Sequence, residues 1–149
     1  MAETMRIVLK GEPPTAWGAN NKQLFIRGGH ACMTAGKNTK ATEKWLISLL
    51  APYAPTEPIL GPITMQVVIT WPWLSNHSKK VKERGSIPKT TRPDGDNCLK
   101  SLNDCMEDLG FFCNDSQIYC QTIQRLFGDD PGIVIVLEAE GLRSPREVA

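Results

Sequence analysis

From Cys98 to Leu109 apolar residues fall at Cys98, Leu99, Leu102, Cys105, Met106 and Leu109, the i, i+3, i+4 spacing of a single helix face. Pro93 with Asp94 or Asp96 supplies the start of this helix, and Gly110 is placed as its stop. A helix with one apolar stripe has to bury that stripe against another layer. The remaining sequence offers strands for the purpose. Ile63 to Trp71 (ITMQVVITW) is β-branched and alternating, which predicts a central strand. Met5 to Leu9 reads as a first strand closed by Gly11-Glu-Pro-Pro. Ile118 to Phe127 reads as a strand, Gly128-Asp-Asp-Pro-Gly132 as a turn, and Ile133 to Glu138 as the returning hairpin partner. A second helix is expected from Thr39 to Ala51, with Trp45, Leu46, Leu49 and Leu50 at helical spacing, Glu43 and Lys44 outward, and Pro52, Pro55 and Pro58 ending it.

Two stretches lack a regular pattern. Residues 12–37 read as mostly irregular, with Gln23 to Arg27 extended, and Pro72 to Pro93 reads as a long polar loop of the kind that is functional or disordered. The order β, α, β, loop, α, β, β predicts an α/β (α+β-like) fold in which a mixed sheet packs on two helices. At 149 residues the expectation is one domain, 1–149, with its core in about 5–138 and a loose tail over 141–149. The longest apolar runs, such as Ile133 to Leu137, are too short to span a bilayer, and the N-terminus lacks the layout of a secretory signal. The expectation from these features is a cytoplasmic protein with no membrane partner. The five cysteines, Cys32, Cys98, Cys105, Cys113 and Cys120, are odd in number and form no C-x-x-C pair. They read as reduced and structural rather than as a disulfide framework or a zinc site.

The net charge is only +1, but its distribution is uneven. Lys79, Lys80, Lys82, Arg84, Lys89 and Arg92 are opposed only by Glu83, and acidic residues dominate from Asp94 to Asp115. A basic segment beside an acidic cluster suits a protein that grips phosphates while holding a metal; a solvated loop is the alternative. Within Arg92-Pro-Asp94-Gly-Asp96-Asn97-Cys-Leu-Lys100, two carboxylates stand one residue apart where the helix begins. Asp96, Lys100 and Asp104 recur every fourth residue and share a face opposite the apolar stripe. With Asp115, reached across a short connection, Asp94 and Asp96 make a set of carboxylates that would repel unless a cation neutralised them. Mg²⁺ favours such oxygens and keeps waters, leaving room for a phosphate. The competing reading is plain capping, since Asp at a helix start is a common cap.

The pattern Arg92-Pro-Asp-Gly-Asp-Asn-x-x-Lys100, then Asp104, then Asn114-Asp115-x-Gln117-Ile118, resembles the RusA family of Holliday-junction resolvases. That family runs P-D-x-D-N-x-x-K, a helix with a following Asp, and D-D-x-Q. The resemblance is dense from Arg92 to Ile118, and the family's layout covers about Met5 to Glu138. It implies a RusA-like fold, Mg²⁺ (with Mn²⁺ as a substitute) on Asp94, Asp96 and Asp115, and Lys100 as the essential lysine beside them. Asn97, Asp104 and Asn114 stand as flanking partners. One departure is Asn114, where the family often has a second aspartate. The stretch Lys10-Gly-Glu-Pro-Pro-Thr15 looks like the family's G-x-P segment and would turn Asn20, Asn21 and Lys22 toward DNA. The resemblance further implies a homodimer that cuts opposed strands of a four-way junction during recombination and repair. A non-catalytic junction-binding module and a broader flap or fork nuclease are the other readings. Trp17, Trp71 and Trp73 offer rings for stacking on unpaired bases. Trp71, at the end of an alternating strand, reads as packing; Trp17 and Phe25, in the irregular region, leave stacking open. His30, beside Gly28-Gly29, reads as a solvated loop histidine.

Overall fold

Alternation of β-branched residues carries through into a sheet. A computed structural model describes residues 2–18, 22–35 and 37–142. The strands are β1 (Ala2–Lys10), β2 (Lys22–Arg27), β3 (His30–Ala35), β4 (Ile63–Pro72), β5 (Ser86–Pro88), β6 (Ile118–Gly128) and β7 (Gly132–Glu140). The helices are α1 (Lys37–Leu50), the single turn α2 (Lys79–Lys82) and α3 (Gly95–Asp108). Five strands form one sheet in the order β1-β7-β4-β6-β5, and β2 and β3 form a separate hairpin. Only β4 and β6 are parallel; the other neighbours run antiparallel. The result is one small α+β domain with a mixed sheet.

The pleat divides β4 cleanly. Ile63, Met65, Val67, Ile69 and Trp71 are buried, while their alternates are half-buried or exposed. Ile7, Leu9, Ile133, Ile135 and Leu137 extend this apolar face across the sheet. Leu46 and Leu50 of α1 and Cys98, Leu102, Cys105 and Met106 of α3 complete the same core cluster. The α3 stripe therefore does what its spacing requires. Asn103 is also buried there, and its amide exchanges hydrogen bonds of 2.8 and 3.2 Å with Gln121.

Three expectations are corrected. β6 and β7 are joined by the Gly128-to-Gly132 turn but do not pair, because β4 lies between them. β4 matches Thr70 to Leu126 on one side and to Gly132 on the other. An apolar central strand needs ladder partners on both edges. Next-but-one strands are only about 10 Å apart, a gap that a short turn spans. Within residues 12–37, Gln23 to Arg27 is extended as expected, but it belongs to a hairpin: β2 and β3 pair through Gly28-Gly29, both at positive φ (60° and 79°), and His30 stands opposite Arg27 at the start of β3. Such φ values suit a primed hairpin turn and favour glycine. The Pro72-to-Pro93 segment contains α2, started by Ser78 whose hydroxyl accepts from the Val81 N–H at 3.2 Å, and β5, which zips onto β6.

Within the expected loose tail, Leu142 is buried at 7 % exposure, and residues 143–149 lie outside the described residues. No described helix is long and apolar enough to cross a membrane.

Candidate active site at the start of α3

Pro93 is buried, and α3 begins immediately after it. The Cys98 N–H bonds to the Asp94 carbonyl at 3.1 Å, which makes Asp94 the N-cap by backbone criteria. Its side chain forms no capping hydrogen bond. Asp94 is exposed, as is Asp96 in the first turn. Both carboxylates therefore stand at the positive end of the helix dipole without closing the helix. The capping alternative accounts for the position of Asp94 but not for the unused oxygens.

Two glycines bring backbone close to this turn. A Cβ on Gly95 would approach Ile123 Cγ2 to 3.2 Å and Arg125 Nε to 3.6 Å, so a side chain between the aspartates would press on Ile123 where α3 lies on β6. Gly18, at φ +66°, packs on Asn97, and a Cβ there would come within 2.9 Å of Asn97 Cβ. Asn97 thus seats the N-terminal segment against the first turn of α3. Lys100 and Asp104 share the exposed face as an i, i+4 pair with Nζ–Oδ2 of 3.6 Å. Cys98 beneath the turn is fully buried, and burial pushes its thiol up to about 12, so it is neutral and unreactive at ordinary pH.

Asp115 lies elsewhere in the chain's fold. It opens a 3₁₀ turn, Asp115–Gln117, capped by Asn114, whose side-chain oxygen accepts from the Ser116 N–H at 2.8 Å. The Asp115 N–H donates to Glu107 Oε1 at 3.0 Å, which ties the turn to the C-terminal end of α3. At a rise of about 1.5 Å per residue, Glu107 stands roughly 16 Å along the helix from Asp96. Among the described residues no three Asp, Glu, His or Cys side chains gather as a metal would require. One chain thus brings Asp94 and Asp96 together on one turn and leaves Asp115 at the other end of α3. Gln117 anchors that end: its oxygen accepts from the Cys113 and Asn114 N–H groups, and its nitrogen donates to the Ile59 and Gly61 carbonyls.

The basic residues divide into two groups. Lys79, Lys80, Lys82, Arg84 and Arg92 are exposed and available to phosphate. Lys89 is not a free DNA-facing cation: it is 8 % exposed, with Nζ 4.5 Å from the Phe127 ring centre and 5.3 Å from that of Trp71. The short β5–β6 ladder folds the loop back and draws this lysine inward. Trp17 is corrected too: it is 1 % exposed, and its indole N–H donates to the Pro14 carbonyl, as does that of Trp71 at 3.1 Å. Trp71 packs as its strand position predicts, whereas Trp73 is half-buried and held by Asp129 at 2.8 Å. Asn20 and Asn21 and the side chains of Lys22 and Phe25 lie outside what the structure describes.

Sequence reasoning missed Arg125. Its Nη1 donates to the carbonyls of Thr91 (2.7 Å) and Pro93 (2.9 Å), directly before Asp94. The available signal was parity: along β6, Arg125 shares the side of Ile123 and the buried Phe127, an odd place for a cation without a task.

Carboxylates left open at a helix start, with exposed cations upstream, suit a surface that meets a cation beside a phosphate. The chain belongs to the RusA endodeoxyribonuclease family: the family model described as "Endodeoxyribonuclease RusA" matches residues 13–138. Members of this family are hydrolases that act on branched DNA junctions and generally depend on a divalent metal. The chain is also similar to the uncharacterized protein YqaN of Bacillus subtilis (strain 168), at 26 % identity over 117 residues, covering 75 % of this chain and 82 % of that protein.

Proposed function

We propose that this protein is a magnesium-dependent endonuclease that resolves four-way DNA junctions by hydrolysing phosphodiesters in opposed strands, in recombination and repair. It would act in the cytoplasm as one RusA-like domain spanning 1–149. The observation that carries this reading is the Asp94 carboxylate, which holds the cap position of α3 and leaves the cap bond unmade. Open oxygens of this kind fit a hard cation that retains water. Asp94, Asp96 and Asp115 would hold Mg²⁺, or Mn²⁺ in its place. When bound, such an ion activates water and stabilises the leaving oxygen.

The chain's own groups would do the rest. The exposed Lys79, Lys80, Lys82, Arg84 and Arg92 bind backbone phosphates. Lys100, steadied by Asp104, meets negative charge developing on the phosphoryl oxygens. The separation along α3 supports a homodimer, in which Asp115 of the partner subunit joins Asp94 and Asp96.

Two measurements test this reading. With Mg²⁺, the protein should cut a synthetic four-way junction faster than linear duplex or a flap, and Asp96→Asn should abolish cutting. Junction binding without cutting at any metal concentration would leave only a binding module, and equal cutting of all three substrates would make it a general nuclease. Mixing inactive Asp96→Asn and Asp115→Asn proteins should restore single-strand nicking, since one site in each mixed dimer would be intact. No restoration in verified mixed dimers would place all three aspartates in one chain.

A further inference from the structure

We propose that Arg125, with Lys89, is a positioning clamp for the Asp94–Asp96 pair: it fixes the chain entering α3 so that both carboxylates meet one cation. This rests on the metal reading above. Arg125 reaches from β6 under the loop, and one guanidinium nitrogen binds two carbonyls, those of Thr91 and Pro93. These carbonyls belong to the peptides that set the backbone on either side of Arg92-Pro93. Lys89 holds the same loop from its other side. Its N–H donates to the Arg125 carbonyl at 2.8 Å, and its ammonium donates to Thr91 Oγ1 at 2.8 Å. Thr91 is therefore gripped by its carbonyl and by its hydroxyl, by two different cations.

The arrangement is costly on its own terms, which argues for a purpose. Lys89 is buried beside Phe127 and Trp71, and burial together with the neighbouring Arg125 pulls its ammonium below the ordinary lysine value. Two cations are thus crowded behind a helix start whose two exposed carboxylates form no ion pair with either of them. A plain loop anchor would need no charge, because the NH2 of a neutral amide has the two donors these carbonyls take. Groups that orient ligands without touching the metal commonly change its affinity by about 10- to 100-fold.

The test uses the full-length protein and Mn²⁺ alone, with binding read from the loss of the free Mn²⁺ signal in electron paramagnetic resonance. Arg125→Lys keeps the charge, but its ammonium ends one bond short of the position from which Nη1 binds both carbonyls. It should raise the Mn²⁺ concentration for half-saturation by about 10-fold or more, while junction binding in EDTA stays within about twofold of wild type. Thr91→Val, at an exposed position, removes only the hydroxyl that Lys89 holds; it should shift Mn²⁺ affinity in the same direction and remains informative if Arg125 variants do not fold. Mn²⁺ binding by both variants equal to wild type would overturn the clamp. So would a loss of junction binding in EDTA as large as the loss of Mn²⁺ affinity, because that is damage to the fold. The two readings fail separately. Mn²⁺ binding that ignores Asp96→Asn removes the metal reading itself, whereas sensitivity to Asp96→Asn with indifference to Arg125→Lys removes only the clamp.

Discussion

Gly18→Ala tests how the N-terminal segment is seated on α3, and Gly110→Ala is its internal control. Both glycines have positive φ, +66° and +82°. Alanine in that region costs about 1–2 kcal/mol at either position. The surroundings differ. Nothing lies within 4 Å of a Cβ at Gly110, whereas at Gly18 it would meet Asn97 Cβ at 2.9 Å, Oδ1 at 3.0 Å and Cγ at 3.1 Å. Relieving such an overlap adds about 1–3 kcal/mol. Gly110→Ala should therefore cost about 1–2 kcal/mol and Gly18→Ala about 2–5 kcal/mol. Urea unfolding with unchanged slope measures both. Adding Asn97→Gly to Gly18→Ala removes the Cβ in the way, so the cycle should show a favourable coupling of about 1 kcal/mol or more. Equal costs for the two alanines, within about 0.5 kcal/mol, would refute the close approach and with it the role of Asn97 as a seat.

Gln117→Ala removes four hydrogen bonds, two that join the Asp115 turn to residues 59 and 61 and two that close the turn on Cys113 and Asn114, and should cost about 2–4 kcal/mol in the same urea assay; a cost under about 0.5 would show that the turn holds without it. Cys113 and Cys120 are exposed, so they should react with a thiol reagent at pH 8 while Cys98 and Cys105 react only on unfolding. Cys98 and Cys105 also set an alkaline limit. Burial raises each from 9.0 to about 12, so their contribution to stability is complete below pH 9 and is lost as the pH rises toward 12. Lys89 acts in the opposite sense, since the cost of its buried charge is relieved as the pH climbs toward 10.5. Cys98→Ala should move the alkaline unfolding midpoint upward; an unchanged midpoint would mean the thiol does not titrate with unfolding. Replacing Lys79, Lys80 and Lys82 by Ala should weaken junction binding and flatten its salt dependence, by a log–log slope of up to about 3; an unchanged slope would remove these lysines from the phosphate contacts.

What could be read from the sequence follows the range of the interaction. The α3 stripe, the alternation in β4 and the D-G-D-N turn are local patterns, and each is visible in a short window. The placement of β4 between β6 and β7 is not local, because the turn at Gly128 to Gly132 constrains only the chain's direction and not which strand occupies the gap. Lys89 turns inward for a related reason. Neighbours in sequence suggested a solvated basic loop, but the ladder of β5 on β6 decides which of those cations turns inward. Trp17 likewise sits in a stretch without pattern and is buried by long-range packing with the core. Arg125 carried a signal only in combination, as a charge at an inward position of a strand.

Asn114 shows how geometry alters the weight of a sequence departure. As a missing carboxylate it counts against the metal site. In the structure its side-chain oxygen caps the turn that presents Asp115, with Gln117 completing a capping box. Asn and Asp serve that purpose about equally well. The requirement at this position is therefore an acceptor oxygen, which the substitution keeps, and Asp115, tied through its own N–H to Glu107, remains in place. Asn114→Asp should leave stability within about 0.5 kcal/mol of the parent while adding a charge beside Asp115. If that charge faces the cation across the dimer, half-saturation by Mn²⁺ falls to a lower concentration. If the Mn²⁺ requirement does not move, capping is the whole of the role of Asn114, and the acidic set needs only Asp94, Asp96 and Asp115.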